Sequence, residues 1–320
     1  ISPIKQGNFC LASLTFHPAS CTSVNEHSPY FLLIVGTSLA CTSISTNLGH
    51  VKAMYSTRED IKAAVDAYRA HIAERNRRAL EVYVQLATQA ELDPEDWGDE
   101  AEDMRVDCFG SVLSRNDART LISSPEDMLT KFDELAPLCD LDGCGGSIPN
   151  SHDRELYFSR LESALKTKCL EEVRDSITAP PELRILAEYV GALTGPGMGE
   201  TKWTYQAVFW TGASSQTEFL IDATVKRPQD LSVDGCWDVA VGWESGAGVE
   251  SFFYIVYCRK TRADGEVEPW AWRYMAYGPD DDKSFDTIPE LLEWYCQYRE
   301  REVPDIDDLS VDDVLEGNMY

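Results

Sequence analysis

The sequence predicts an α+β protein, a mainly antiparallel sheet with flanking helices, preceded by a helical region. Three observations carry this. Apolar residues recur at helical spacing before residue 191, and alternating β-rich runs separated by turn residues follow it. Seven of the eight tryptophans also fall after residue 200. With 320 residues, 43% hydrophobic and 26% charged, the chain is long enough for one large or two ordinary domains.

The opening stretch, residues 1–53, is rich in Ser and Thr and lacks helical periodicity, so a poorly ordered leader is expected there. Its apolar run, residues 31–35, precedes Ser38-Leu39-Ala40, small residues of the kind a signal peptidase accepts. The cationic stretch that a secretory signal needs before such a run is replaced by His27-Ser28-Pro29-Tyr30. The first methionine is Met54, and a fragment or a misassigned leader is the alternative reading.

Ser56-Thr57-Arg58-Glu59 reads as a capping box that opens a helix with Ile61, Val65, Tyr68 and Ile72 on one stripe. Ala79, Tyr83 and Leu86 resume the stripe after the basic cluster Arg75-Asn76-Arg77-Arg78, a solvated helix face or turn. Asp93-Pro94 should stop the helix, and the acid-dense residues 93–107 read as an exposed loop. Ser124-Pro125-Glu126-Asp127 announces a second helix carrying Met128, Leu129, Phe132 and Leu135. Glycine-rich residues 139–150 form the expected linker. A third helix is expected over 153–177, with Leu156, Leu161, Leu165, Cys169, Val173 and Ile177 inward. A short helix from Pro180-Pro181 through Leu183, Leu186 and Val190 closes at Gly191.

Strands are expected at 203–210, 218–224, 237–243, 250–258 and 270–277. A capping box at Thr287-Ile288-Pro289-Glu290 opens the last helix, with Leu291, Leu292, Trp294, Tyr295 and Tyr298. Pro304 ends it. The expected division is therefore 1–53 as leader, 54–150 as helical region with an acidic loop, 151–303 as the α+β domain and 304–320 as acidic tail.

Charge narrows the partners. The net charge is −27, which repels nucleic-acid phosphates and anionic headgroups, so neither nucleic acid nor membrane is an expected partner. No apolar run approaches the ~20 residues of a membrane-spanning helix. The seven cysteines after the leader are scattered and several lie in apolar runs, as free thiols do in a reducing compartment, so the cytoplasm or nucleus is expected. Secretion is the alternative if Ser38–Ala40 is a cleavage site.

Catalytic motifs are sparse. Outside the leader only His71 and His152 remain, neither in a triad-like setting, and no phosphate loop, nucleophile elbow or dinucleotide fingerprint occurs. Gly195-Pro196-Gly197-Met198-Gly199 reads as a turn, since Lys202 is wrongly spaced and no helix follows. Cys139, Cys144 and His152, with Cys108 as a distant fourth, lack the paired spacing of structural zinc. Asp140-Leu141-Asp142-Gly143 lacks the terminal acid of a calcium loop, and Asp280-Asp281-Asp282 reads as a solvated turn. No cofactor or metal is expected.

Aromatic residues interleaved with acids are more informative. Trp237-Asp238 and Trp243-Glu244 flank an alternating run, Glu250 follows the glycine turn at 246–248, and Trp270-Ala271-Trp272 puts two indoles on one strand face. Most of these indoles must build the core, yet exposed Trp beside Asp or Glu is how recognition surfaces are made.

The back half resembles the SUKH superfamily, which includes fungal cell-wall-assembly regulators and bacterial toxin-immunity proteins. The resemblance covers about residues 152–302 and rests on short motifs: Ala179-Pro180-Pro181-Glu182-Leu183, then Val239-Ala240-Val241-Gly242 with Gly246-Ala247-Gly248 and Phe252-Phe253-Tyr254-Ile255, then Trp270-Ala271-Trp272 and Leu291-Leu292-Glu293-Trp294. The stretch after Gly191 is longer than the family's usual turn. The resemblance implies a non-catalytic regulatory module that binds a partner protein. The acidic charge suits a basic partner, met through Trp237, Asp238, Trp243, Glu244, Glu250, Trp270 and Trp272. The competing class is a metal-dependent, hydrolase-like enzyme using carboxylates such as Asp238, Glu244 and Glu250. The oligomeric state stays open.

Overall fold

Helix α1, Arg58–Gln89, is the longest element of the computed structural model, which describes residues 55–92, 101–110, 112–113, 116–195, 209–212, 218–233, 236–248, 251–261, 264–277, 282–298, 303 and 305–315. Its capping box forms one residue later than expected. The Thr57 side chain accepts from the Asp60 N–H at 3.2 Å, and the Asp60 carboxylate accepts from the Thr57 N–H at 2.9 Å. The displaced Ser56 N–H instead donates to the carboxylate of Glu182. The stripe of Ile61, Val65, Tyr68, Ile72, Ala79, Tyr83 and Leu86 is buried as its spacing requires. Within the basic cluster Asn76 is buried too, and its side-chain amide donates to the Leu141 carbonyl at 2.8 Å.

Short helices follow: α2 Ala101–Asp107, α3 Asn116–Arg119, α4 Asp127–Thr130 and α5 Phe132–Leu135. Helix α2 corrects the expectation of a loop through residue 107, since Val106 buries against α1 and fixes the turn. The break between α4 and α5 splits the single helix expected there, and Met128, Phe132 and Leu135 are all buried nonetheless. The glycine-rich 139–150 stretch is more than a connector. It holds strand β1, Cys144–Gly145, which pairs antiparallel with β2, Ala192–Leu193, and β2 in turn with β3, Phe209–Trp210. Gly143 enters β1 at a φ of +74°, where a Cβ would meet Tyr68 and Ile72 of α1 at about 3 Å.

Helix α6, Ser151–Lys168, is capped by Asn150 and ends well before the expected residue 177. Leu170 breaks away because its N–H donates to the Ala240 carbonyl of the sheet at 3.2 Å, and a 3₁₀ turn over Glu171–Val173 follows. Cys169, Val173 and Ile177 still bury, while Leu156 is exposed. Helix α7, Pro181–Leu186, starts with proline in the first turn.

Residues 201–208 lie outside the described residues, so the first expected strand is seen only as β3. The segment Glu218–Thr224 is a helix, α8, and not a strand. Its short apolar run carries no decisive period, and α8 packs on α6 with Ile221 buried. The edge position falls instead to β4, Val225–Lys226. Strands β5 Trp237–Gly248, β6 Ser251–Lys260, β7 Ala271–Tyr277 and β8 Asp282–Phe285 complete a five-stranded antiparallel sheet in the order β4-β5-β6-β7-β8. Strand β8 replaces the solvated turn expected around Asp282; Asp280 and Asp281 lie outside the described residues. Helix α9, Ile288–Tyr295, is capped by Thr287, whose hydroxyl accepts from the Glu290 N–H at 3.3 Å. The tail adds one more helix: α10, Val311–Leu315, buries Val314 against the second half of α1.

The inner face of the sheet holds Val241, Trp243, Phe253, Ile255, Trp272 and Tyr274 under α6, α7, α9 and the first half of α1. The second half of α1 organises another apolar cluster with Val106, Phe109, Met128, Phe132, Leu135 and Val314. One buried acid ties the elements together. Glu182 of α7, 1% exposed, accepts from Ser56 before α1 and from the Ile288 N–H of α9 at 2.6 Å. Two otherwise unpaired donors at helix starts are thereby satisfied.

Candidate functional site

A β-bulge decides which side chains of β5 face outward. Val239 pairs with Cys258 and Val241 with Tyr257, leaving Ala240 as the extra residue. The strict alternation expected over 237–243 therefore breaks. Trp237 and Val239 lie on the outer face with Val256 and Cys258, whereas Val241 and Trp243 turn inward. A second irregularity between Glu244 and Gly246 buries Ser245. Gly242 sits between these bends, where a Cβ would lie 2.4 Å from Val256 Cγ1.

The expected recognition residues consequently do not form one surface. Trp243 and Trp272, 2% and 3% exposed, are core residues packed edge to face with ring centroids 5.6 Å apart. The Trp272 indole N–H donates to the Thr178 carbonyl at 3.1 Å. Neither indole can meet a partner. Trp270 lies at the inner margin, stacked on Tyr257 at 6.0 Å and covered by the Arg259 guanidinium at 4.2 Å. Asp238 belongs to that margin and pairs with Arg259 at 3.4 Å. Trp237 is half-buried on the outer face beneath the Lys260 ammonium, 4.0 Å from its ring centroid. Glu244 is exposed on the same face, and Glu250 lies outside the described residues. Asp238 and Glu244 thus point to opposite sides of the sheet and do not converge.

The outer face carries its own apolar centre of Tyr254, Val256, Cys258 and Met275. Burial pushes the Cys258 thiol up to about 12, so it stays protonated and packs as a hydrophobe. Towards the end of the β5–β6 pairing this centre passes from buried Tyr254 and half-buried Tyr277 to the exposed ring of Phe252. Phe252 is 46% exposed. It lies 6.4 Å from Tyr254, and Tyr254 lies 5.8 Å from Tyr277. Register puts Glu244 opposite Tyr254 and Tyr254 opposite Met275. One row along, Phe252 faces Tyr277 and Tyr277 faces Asp282. Carboxylates therefore stand at both ends of an aromatic floor. Partial burial raises the Glu244 carboxyl above its usual range, with Lys226 pulling it back.

The signal for this corner was present in residues 252–257. Phe-Phe-Tyr-Ile-Val-Tyr is apolar at every position, so whichever face meets the helices, the other presents aromatic side chains. Asp282 had no such signal, because its strand is short and polar. Among the described residues no three His, Cys, Asp or Glu side chains gather into a metal-holding group, and no helix is long and apolar enough to cross a membrane. All seven described cysteines are free thiols.

No protein-family profile matches the chain, and no curated protein or solved structure is significantly similar to it.

Proposed function

We propose that this chain is a non-catalytic regulatory module that binds a basic partner protein on the outer face of its sheet. The observation that carries the proposal is the aromatic corner of Phe252, Tyr254 and Tyr277 flanked by Glu244 and Asp282 on a chain of net charge −27. Aromatic anchors beside charge are the common content of recognition surfaces, and opposite charge steers encounter. Within the expected set, Trp237 and Glu244 stay on this surface, while Trp243 and Trp272 leave it. The resemblance to the SUKH superfamily favours the same class of role. Free thiols at all seven described cysteines favour a reducing compartment, the cytoplasm or nucleus.

The test is comparative capture from cell extract with immobilised wild-type and Phe252→Asp proteins. A partner retained by wild type, lost from the variant and released as salt passes about 0.1 M, where the Debye length is ~10 Å, supports the proposal. Equal retention by both proteins, or turnover of a small substrate by the purified chain, contradicts it.

A further inference from the structure

We infer that the corner formed by Glu244, Phe252, Tyr254, Tyr277 and Asp282 receives an extended, lysine- or arginine-bearing segment of the partner, its cationic side chains meeting the two carboxylates and its aliphatic stems lying on the rings. This rests on the protein-binding reading above and adds the chemistry of what is bound.

The geometry points to a cation rather than to a purely apolar anchor. Among the described residues neither the Glu244 nor the Asp282 carboxylate is held by an ion pair or a side-chain hydrogen bond, although other surface acids such as Asp238, Asp133 and Asp286 have arginine partners. Both stand beside aromatic rings, whose faces attract ammonium and guanidinium groups. The chain binds cations to its aromatic rings elsewhere, with Lys260 over Trp237 at 4.0 Å and Arg259 over Trp270 at 4.2 Å. Those two rings are already covered by the chain's own cations. Phe252 is the exposed ring. Three strand spacings and one row separate the carboxylates, about 16 Å, which about five extended residues span. Lysine and arginine suit such a site because their stems are apolar and their heads charged.

The probe is a synthetic peptide, acetyl-Lys-Ser-Leu-Ser-Lys-amide, titrated into full-length protein carrying ¹³C-methyl methionine. Met275 lies under the corner, with the Tyr277 hydroxyl 3.4 Å from its sulfur, so its methyl reports occupancy through the rings. The expected result is a saturable shift of the Met275 methyl. Binding should weaken about fivefold in Glu244→Gln and in Asp282→Asn and stay unchanged in Asp238→Asn, with no shift from the matching glutamate peptide. Both weakened variants are near-isosteric surface changes, and unaltered methyl spectra without peptide verify their folding. Peptide binding that leaves Met275 unmoved, or equal affinity in all variants, overturns the inference. Self-association abolished by Phe252→Asp would assign the face to a second copy and overturn it too. If the Phe252→Asp capture fails while the peptide still binds at Met275, the partner-protein reading falls and the cation site stands. If capture depends on Phe252 but the peptide moves nothing, the cation site falls and the partner-protein reading stands.

Discussion

At the scale of single residues, burial separates the indoles that hold the sheet from the exposed ring of Phe252. Trp243→Ala or Trp272→Ala empties a packed core and is expected to cost about 3–5 kcal/mol in chemical denaturation. Phe252→Ala, on the open face, should change stability by no more than about 0.5 kcal/mol. Similar losses for all three would contradict the assignment of faces. Glu182 gives a pH signature. Burial raises its carboxyl above the usual range, against the pull of the Ser56 and Ile288 donors. The folded chain then keeps that proton to higher pH than the unfolded chain, so this group's stabilising contribution falls as pH rises through the raised value. Glu182→Gln should remove that decline; an unchanged pH slope would show that Glu182 is not its source. The α1 stripe followed from spacing and hydrophobicity alone, whereas Trp243 and Trp272, expected on the recognition surface, lie in the core, Trp243 because the bulge turns it inward. The role of Glu182 was not legible either, because its two donors lie 126 and 106 residues away in the chain.

Elements were legible where one period ran long enough. Helix α1, the hairpin of β5 and β6, and α9 all follow from their patterns, as does the antiparallel class of the sheet. Failures came where tertiary contacts overrode a short pattern. Glu218–Thr224 became a helix on α6, and the helix after Asn150 ended where Leu170 turned to hydrogen-bond the sheet. The bulge at Ala240 was invisible because inserting one residue leaves composition and turn signals unaltered. Deleting Ala240 should remove the bulge and leave Val241 and Trp243 inward, since Val241 then follows outward Val239 directly while keeping its register with Tyr257. Cooperative unfolding at a lowered melting temperature is the expected outcome, because the Leu170 N–H loses the Ala240 carbonyl; loss of cooperative unfolding would contradict the bulge. The tail makes a similar claim. Val314→Asp places a charge in the cluster under α1 and should lower stability by more than about 2 kcal/mol, unlike Asp312→Asn on its exposed side.

For the whole molecule, α1 joins two apolar clusters and the outer face of the sheet carries a third, smaller one, under a net charge of −27. Self-repulsion of that charge should ease with salt, so moderate salt is expected to raise the melting temperature while weakening association with a basic partner. The two responses have opposite sign, which separates the stability of the fold from the strength of the interface. Phe252 is where they diverge most, since its ring is open to solvent and adds little to the core. Site-specific photocrosslinking locates the partner most directly. A benzophenone amino acid at position 252 on the outer face is compared with one at 156 on the exposed side of α6. Binding at the aromatic corner requires a defined crosslinked partner from position 252 and none from position 156; crosslinking from 156 alone, or equally from both, would contradict it.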